Sequence, residues 1–169
     1  MTTSHCWLSR VPKQTKEIEN LEEEFELTVE SKLQNLQKIS EFLDKTLRHY
    51  NIINAREIYA VKLSIDEAAT NIIEHAYPNK VGTIVIRAKL SDAGKFVVDV
   101  IDWGEPFDPT ATEDPNTELG LNERKEGGLG IFFMKKFMDE VKYVRRDNMN
   151  LLTVAKNIKK ENKEQKEWR

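Results

Sequence analysis

The sequence predicts an α+β fold: a two-layer sandwich with helices on one face of a mixed, mostly antiparallel sheet. Strand-like runs come in neighbouring pairs joined by turn chemistry, at 83–90 with 95–103 and at 141–144 with 151–155. Two amphipathic helical stripes lie together between an early strand and those pairs. Helices gathered apart from paired strands are the pattern of a two-layer sandwich rather than of alternating βα units. The chain has 169 residues, 39% of them hydrophobic and 33% charged. That is about one domain on a prior of roughly 100–200 residues per domain, with enough apolar content for one core.

The elements follow in order. Residues 1–24 read as a polar, frayed lead-in carrying Pro12. The acids Glu17, Glu19, Glu22, Glu23, Glu24 and Glu26 read as a solvated edge, with an acidic docking surface as the alternative. Phe25, Leu27 and Val29 alternate with polar residues, as a half-buried strand does. Ser31 is placed to cap a helix whose stripe is Leu33, Leu36, Ser40, Leu43 and Leu47, widened by Ile39 and Phe42. A turn at 51–54 leads to a second helix over 55–77, with Ile58, Val61, Ile65, Ala68, Ile72 and Ala76 on its apolar face. Pro78 ends it. The first strand pair turns at Ser91-Asp92-Ala93-Gly94. The long polar stretch 105–126, with Pro106, Pro109 and Pro115, reads as a lid or a disordered loop. After Gly127-Gly128-Leu129-Gly130 comes a helical run with Ile131, Met134, Met138 and Val141 on one face. A closing hairpin turns at Asp147-Asn148. The tail, with six basic and three acidic residues over 156–169, reads as a fraying or disordered end.

Composition bounds the function. Lys and Arg total 26 against 29 acids, a net charge of -3, so the surface as a whole is not built for nucleic acid. The single cysteine, Cys6, forms no internal disulfide or cysteine-based zinc site. No apolar run reaches the ~20 residues of a membrane span, and the first ten residues carry no signal-peptide core. The expectation is a soluble, cytoplasmic protein.

Three motifs carry chemistry. Glu67, Asn71 and His75, spaced i, i+4, i+8, make a polar stripe beside the apolar face of the second helix. Asn71 offers a neutral oxygen to a hard cation such as Mg²⁺, and Glu67 can orient or deprotonate a hydroxyl, with Glu74 as a stand-in. Alone, the stripe also fits a solvated helix edge. Asp102-Trp103-Gly104 follows an apolar strand. An acid at that mouth can accept from an exocyclic amine, as on adenine, though a plain Asp turn reads the same way. Trp103 reads as a pocket wall or rim. Gly127-Gly128-Leu129-Gly130 opens a helix, where glycines let a phosphate approach the unpaired N–H groups; a hinge is the alternative. It lacks the closing Lys-Ser/Thr of a P-loop and the preceding strand of a dinucleotide fold. Lys135 and Lys136 read as solvated or as phosphate contacts.

In this order, 67–77, then Asp102-Trp103-Gly104, then a lid, then Gly128-Leu129-Gly130, the chain resembles the Bergerat-fold (histidine kinase-like) ATPase superfamily. It is most similar to the anti-sigma factor serine/threonine kinase branch. The similarity spans about 25–156 and is most specific at 65–77 and at 127–141, including Phe137-Met138-Asp139-Glu140-Val141. It implies an ATP-binding domain at 25–156 and a charged tail at 157–169. By matching position it implies Glu67 as general base, Asn71 as the Mg²⁺ ligand and Asp102 as the adenine-reading carboxylate. Gly104 would shape the adenine pocket, and Gly128, Leu129 and Gly130 would cradle phosphates. His75 would contact ligand or hold the helix end. The implied cofactors are ATP and Mg²⁺. The implied partners are a STAS-domain antagonist that is phosphorylated and a sigma factor that is sequestered, in a homodimer with no direct nucleic-acid or membrane contact. The alternative is a nucleotide-gated binding protein with little or no kinase activity. The chain departs from the superfamily at Pro106, where a second glycine is common, and in the stretch Arg124-Lys125-Glu126, whose acid stands nearest the glycines. Thr153 on the last strand is a further candidate to approach the adenine.

Overall fold

The computed structural model describes residues 23–111 and 129–159. The expected lead-in before 23, the lid from 112 onward, Gly127, Gly128, Cys6 and the tail from 160 lie outside the described residues.

Two turns organise the sheet. Between β2 (Thr83–Leu90) and β3 (Lys95–Asp102), the Gly94 N–H donates to the Ser91 carbonyl at 2.8 Å, and Gly94 takes φ +76°. Between β4 (Glu140–Arg146) and β5 (Met149–Asn157), Asp147 and Asn148 take φ 48° and 65°. Two successive left-handed residues form the turn whose twist suits a two-residue hairpin, and Asp and Asn tolerate it. β1 (Glu24–Glu30) adds an edge, giving the order β1-β2-β3-β5-β4. Every neighbouring pair is antiparallel, which corrects the expected mixed sheet. Tight hairpins make β2–β3 and β4–β5 antiparallel, and the remaining pairs, β1–β2 at the edge and β3–β5 between the hairpins, are antiparallel as well.

Strand alternation sends Ile84 and Ile86 of β2, Phe96, Val98 and Val100 of β3, and Leu152 and Val154 of β5 to one face, all buried. Helices α1 (Leu36–His49), α2 (Ala55–Asn71) and α3 (Leu129–Phe137) cover that face. α1 packs on β1 and β2, α2 on β3 and β5, and α3 on α2 and β4. Ile39, Leu43 and Leu47 of α1, Val61, Ile65 and Ala68 of α2, and Met134 of α3 complete the core. Each such large side chain contributes roughly 1.5–3 kcal/mol by leaving water. The other face carries polar pairs: Arg87 donates to Glu26 at 2.7 Å, and the Thr153 hydroxyl to Asp99 at 2.5 Å. Thr153 therefore lies across the sheet from the helices, which removes it as an adenine contact.

Local corrections follow from competing bonds. Ser31 does not cap α1. It is buried, and its Oγ accepts from the Gly82 N–H at 2.8 Å, tying the end of β1 to the start of β2. A 3-10 turn at Leu33–Asn35 precedes α1 and leaves Leu33 61% exposed, outside the expected stripe. Asn54 caps α2 instead, accepting from the N–H groups of Arg56 and Glu57 at 3.0 and 3.3 Å. Val141, expected on the face of α3, pairs with Val154 in β4, because the helix stops at Phe137.

Candidate active site

The site is assembled at one end of the sheet, where α2 stops being a regular helix. From Ile72 to Ala76 the backbone widens into a π turn. A π turn closes its hydrogen bonds over five residues rather than four, and such turns often mark functional positions. His75 points to solvent, 62% exposed, with Nε2 3.8 Å from Glu74 Oε2. Of the expected stripe, Asn71 lines the cavity described below, while Glu67 and His75 are not among its lining residues.

The π turn and the end of β3 are locked together. The Glu105 N–H donates to the Ala76 carbonyl at 2.7 Å. A side chain on Gly104 would lie 2.3 Å from that same carbonyl oxygen and 2.6 Å from Ala76 Cβ, so only glycine fits. Tyr77 secures the other side. Its hydroxyl accepts from the Trp103 N–H at 2.8 Å and donates to the Thr83 carbonyl at 3.0 Å, and burial pushes its pKa up. Trp103 itself is 47% exposed and does not line the cavity, so of its two readings, pocket wall or rim, the wall does not hold.

The cavity between these elements is walled by Ala68, Ile72, Val100, Met134 and Leu152, with Asn71, Asp102, Glu105, Tyr143 and Asn150 as its polar members. Its volume is about 40 Å³, and Phe107 stands among its lining residues, 42% exposed. Asp102 is 3% exposed. Alternation along β3 points it inward, in phase with Val98 and Val100. Its Oδ1 accepts from the Gly104 N–H at 2.7 Å and from Asn150 Nδ2 at 2.9 Å. Burial pushes its pKa up, while those two bonds and the Arg145 charge pull it down. A buried carboxylate beside apolar walls accepts hydrogen bonds and so selects for donors, which fits the amine edge of adenine.

Asn150, Tyr143 and Arg145 were not singled out in the sequence. They reach Asp102 because the β4–β5 hairpin pairs Arg145 with Asn150 and the β3–β5 ladder pairs Asn150 with Asp102. The hairpin turn at Asp147-Asn148 was a readable signal for the first pairing. No local signal carried the second.

Glu67 lies outside the cavity wall, on the neighbouring side of α2. It is half-buried, and its carboxyl sits against the first turn of α3. A Cβ at Gly130 would fall 1.9 Å from Glu67 Oε2 and 2.0 Å from its Cδ. Gly130 is buried and Leu129 is 40% exposed at the helix start. Burial first, then the charges of Asp66 and Glu74, pushes the Glu67 pKa up. The structure thus brings Glu67, Asn71, Asp102, Gly104 and Gly130 to one end of the fold, while Gly128 lies outside the described residues. Lys135 and Lys136 occupy the last turn of α3, at the opposite end from its glycine. A carboxylate with raised basicity, a neutral oxygen one helical turn away and a helix N-terminus can together serve proton abstraction beside a bound polyphosphate.

Comparison with known proteins agrees with this geometry. The histidine kinase-like ATPase domain family matches residues 29–156. The anti-sigma F factor of Caldanaerobacter subterraneus subsp. tengcongensis is 38% identical over 85 residues, covering 50% of this chain and 59% of that protein. The chain thus spans less than two thirds of that relative. Serine-protein kinase RsbW of Staphylococcus aureus is 33% identical over 111 residues, covering 62% of this chain and 69% of that protein. Among solved structures, the RsbU and RsbW domains of a Mycobacterium tuberculosis protein superpose with a TM-score of 0.58 at 17% identity. That superposition covers 80% of this chain and 32% of the other, and supports the fold.

Proposed function

This chain belongs to the histidine kinase-like ATPase domain family, and on that premise we propose that it is an ATP-dependent serine/threonine kinase acting as an anti-sigma factor. It sequesters a sigma factor and phosphorylates a serine or threonine of a STAS-domain antagonist. The names of its relatives, anti-sigma F factor and serine-protein kinase RsbW, support this reading. The observation that carries it is the seating of Glu67 against the first turn of α3, one helical turn from Asn71 and at the same end of the fold as the Asp102 cavity.

Each residue has a stated task. Asp102 accepts from the exocyclic amine of adenine, and Gly104 keeps the cavity floor pressed on the π turn. Gly128, Leu129 and Gly130 offer backbone N–H groups to the phosphates at the positive end of α3. Asn71 would give its side-chain oxygen to Mg²⁺, which would supply positive charge to offset the charge that develops on the phosphates. Glu67 orients the acceptor hydroxyl and takes its proton as the oxygen attacks the terminal phosphorus, whose bond to the β–γ bridging oxygen breaks so that ADP leaves. The kinase domain is 25–156, with 1–24 as lead-in and 157–169 as tail, and it works as a homodimer in the cytoplasm. Among the described residues no helix is long and apolar enough to cross a membrane.

The test pairs ATP binding with phosphorylation of the purified antagonist. Glu67→Ala removes phosphotransfer, roughly 10²–10⁴-fold for a lost general base, and leaves ATP affinity near the parent's. Asn71→Ala impairs both. Parental phosphotransfer by Glu67→Ala would overturn the base assignment and turn attention to Glu74. Tight ATP binding with no phosphotransfer by the parent would make the chain a nucleotide-gated binder instead.

A further inference from the structure

The polar network behind Asp102 has a direction. Asn150 is 4% exposed. Its Oδ1 accepts from Arg145 Nη1 at 2.7 Å and from the Tyr143 hydroxyl at 2.8 Å. A guanidinium can only donate, so Arg145 fixes which end of the amide is oxygen. The Nδ2 end therefore faces the β3 terminus. There it donates to Asp102 Oδ1 at 2.9 Å and to the carbonyls of Gly104 and Glu105 at 3.3 and 3.4 Å. Arg145 Nη1 also donates to the Gly104 carbonyl at 3.2 Å. With the Gly104 N–H at 2.7 Å, Oδ1 holds two donors, and no bond within the described residues occupies Oδ2. Asp102 lines the cavity, so Oδ2 is the oxygen left for a ligand.

We propose that Asn150, oriented by Arg145, is the positioning residue that sets base selectivity: by saturating Oδ1 it leaves Asp102 a pure acceptor at Oδ2, which takes an exocyclic amine and rejects a ring carbonyl. This rests on the nucleotide-site reading above. The charged and titratable groups around Asp102 are Arg145 and Tyr143 from β4, Tyr77 after the π turn, and Glu105 after β3. Of these only Arg145 is a cation, and it reaches Asp102 through Asn150. Remove Asn150 or Arg145 and burial is opposed by less. Asp102 then takes a proton more readily, and a protonated carboxyl at Oδ2 donates to a carbonyl base.

The experiment titrates ATP and inosine 5′-triphosphate, whose ring carries a carbonyl where adenine carries its amine, into the full chain at pH 6, 7 and 8. The parent prefers ATP by roughly tenfold or more, the weight of one hydrogen bond to a charged acceptor, with little change across that range. Asn150→Leu loses most of that preference, and the loss is larger at pH 6 than at pH 8. Arg145→Met, at an exposed position on the edge strand β4, moves the ratio in the same direction. An unchanged ATP-to-inosine ratio in Arg145→Met, with or without a uniform loss of affinity, overturns the proposal and leaves Asn150 a structural residue. A parent that binds neither nucleotide overturns the nucleotide reading itself, and with it this inference.

Discussion

Replacing Gly130 by alanine separates the seat of the catalytic carboxyl from the stability of the fold. The added Cβ would stand 1.9 Å from Glu67 Oε2, 2.0 Å from Cδ and 2.6 Å from Cγ. Ordinary contact begins near 3.4 Å, so the carboxyl must retreat by more than 1 Å. It is the far end of a flexible side chain and can do so by changing rotamer, at a cost of about 1 kcal/mol. Alanine in a helical position returns up to about 1 kcal/mol of backbone propensity, less in a first turn. Stability should therefore stay within about 1 kcal/mol of the parent. A displacement of about 1 Å in a catalytic group costs on the order of 10²-fold in rate. The assay is phosphorylation of the antagonist under saturating ATP, with thermal unfolding and ATP titration on the same preparations. ATP affinity should fall no more than a few-fold, because the backbone N–H of residue 130 remains. Gly130→Ala with parental phosphotransfer would refute the placement of the base, since a carboxyl forced from its seat cannot keep its alignment.

Gly104→Ala should behave in the opposite way. Its Cβ meets the Ala76 backbone at 2.3 Å, which cannot rotate aside, so unfolding should cost less by about 1–3 kcal/mol in denaturant titrations, and ATP binding should weaken. Asp102→Asn should weaken ATP binding by roughly 1–3 kcal/mol in calorimetry, through loss of a charge-assisted bond to the base. The phosphotransfer rate should rise with pH as Glu67 ionises, with a midpoint above the ordinary carboxylate range. The neighbouring charge of Asp66 helps hold that midpoint up, so Asp66→Asn should move the rise to lower pH in a pH–rate profile. The same raised pKa makes the folded state bind its proton more tightly than the unfolded chain. This contribution to stability is therefore present below the unfolded value and lost as pH rises through the folded one.

Much of this protein was written locally. The turn residues Gly94, Asp147 and Asn148, the cap Asn54 and the alternation of β3 each act over a few residues, and they gave the hairpins, the start of α2 and the inward aim of Asp102. Glu67 and Asn71 stand one helical turn apart on α2 as their spacing implied, and the seating of Gly130 against Glu67 is a tertiary contact. Three features did not follow from spacing. Ser31 left its capping role because Gly82, distant in sequence, supplied a better donor. His75 stands in the π turn at the end of α2 and is turned to solvent, while Ala76, the last residue of that turn, is pressed against Gly104. Asn150 met Asp102 only through the β3–β5 ladder, a pairing between strands separated by α3 and β4. Periodicity and turn chemistry depend on near neighbours and so are legible in the sequence. Which strand lies beside which, and which buried group then finds its partner, depends on the one register that buries every apolar face at once, and that is decided by tertiary packing.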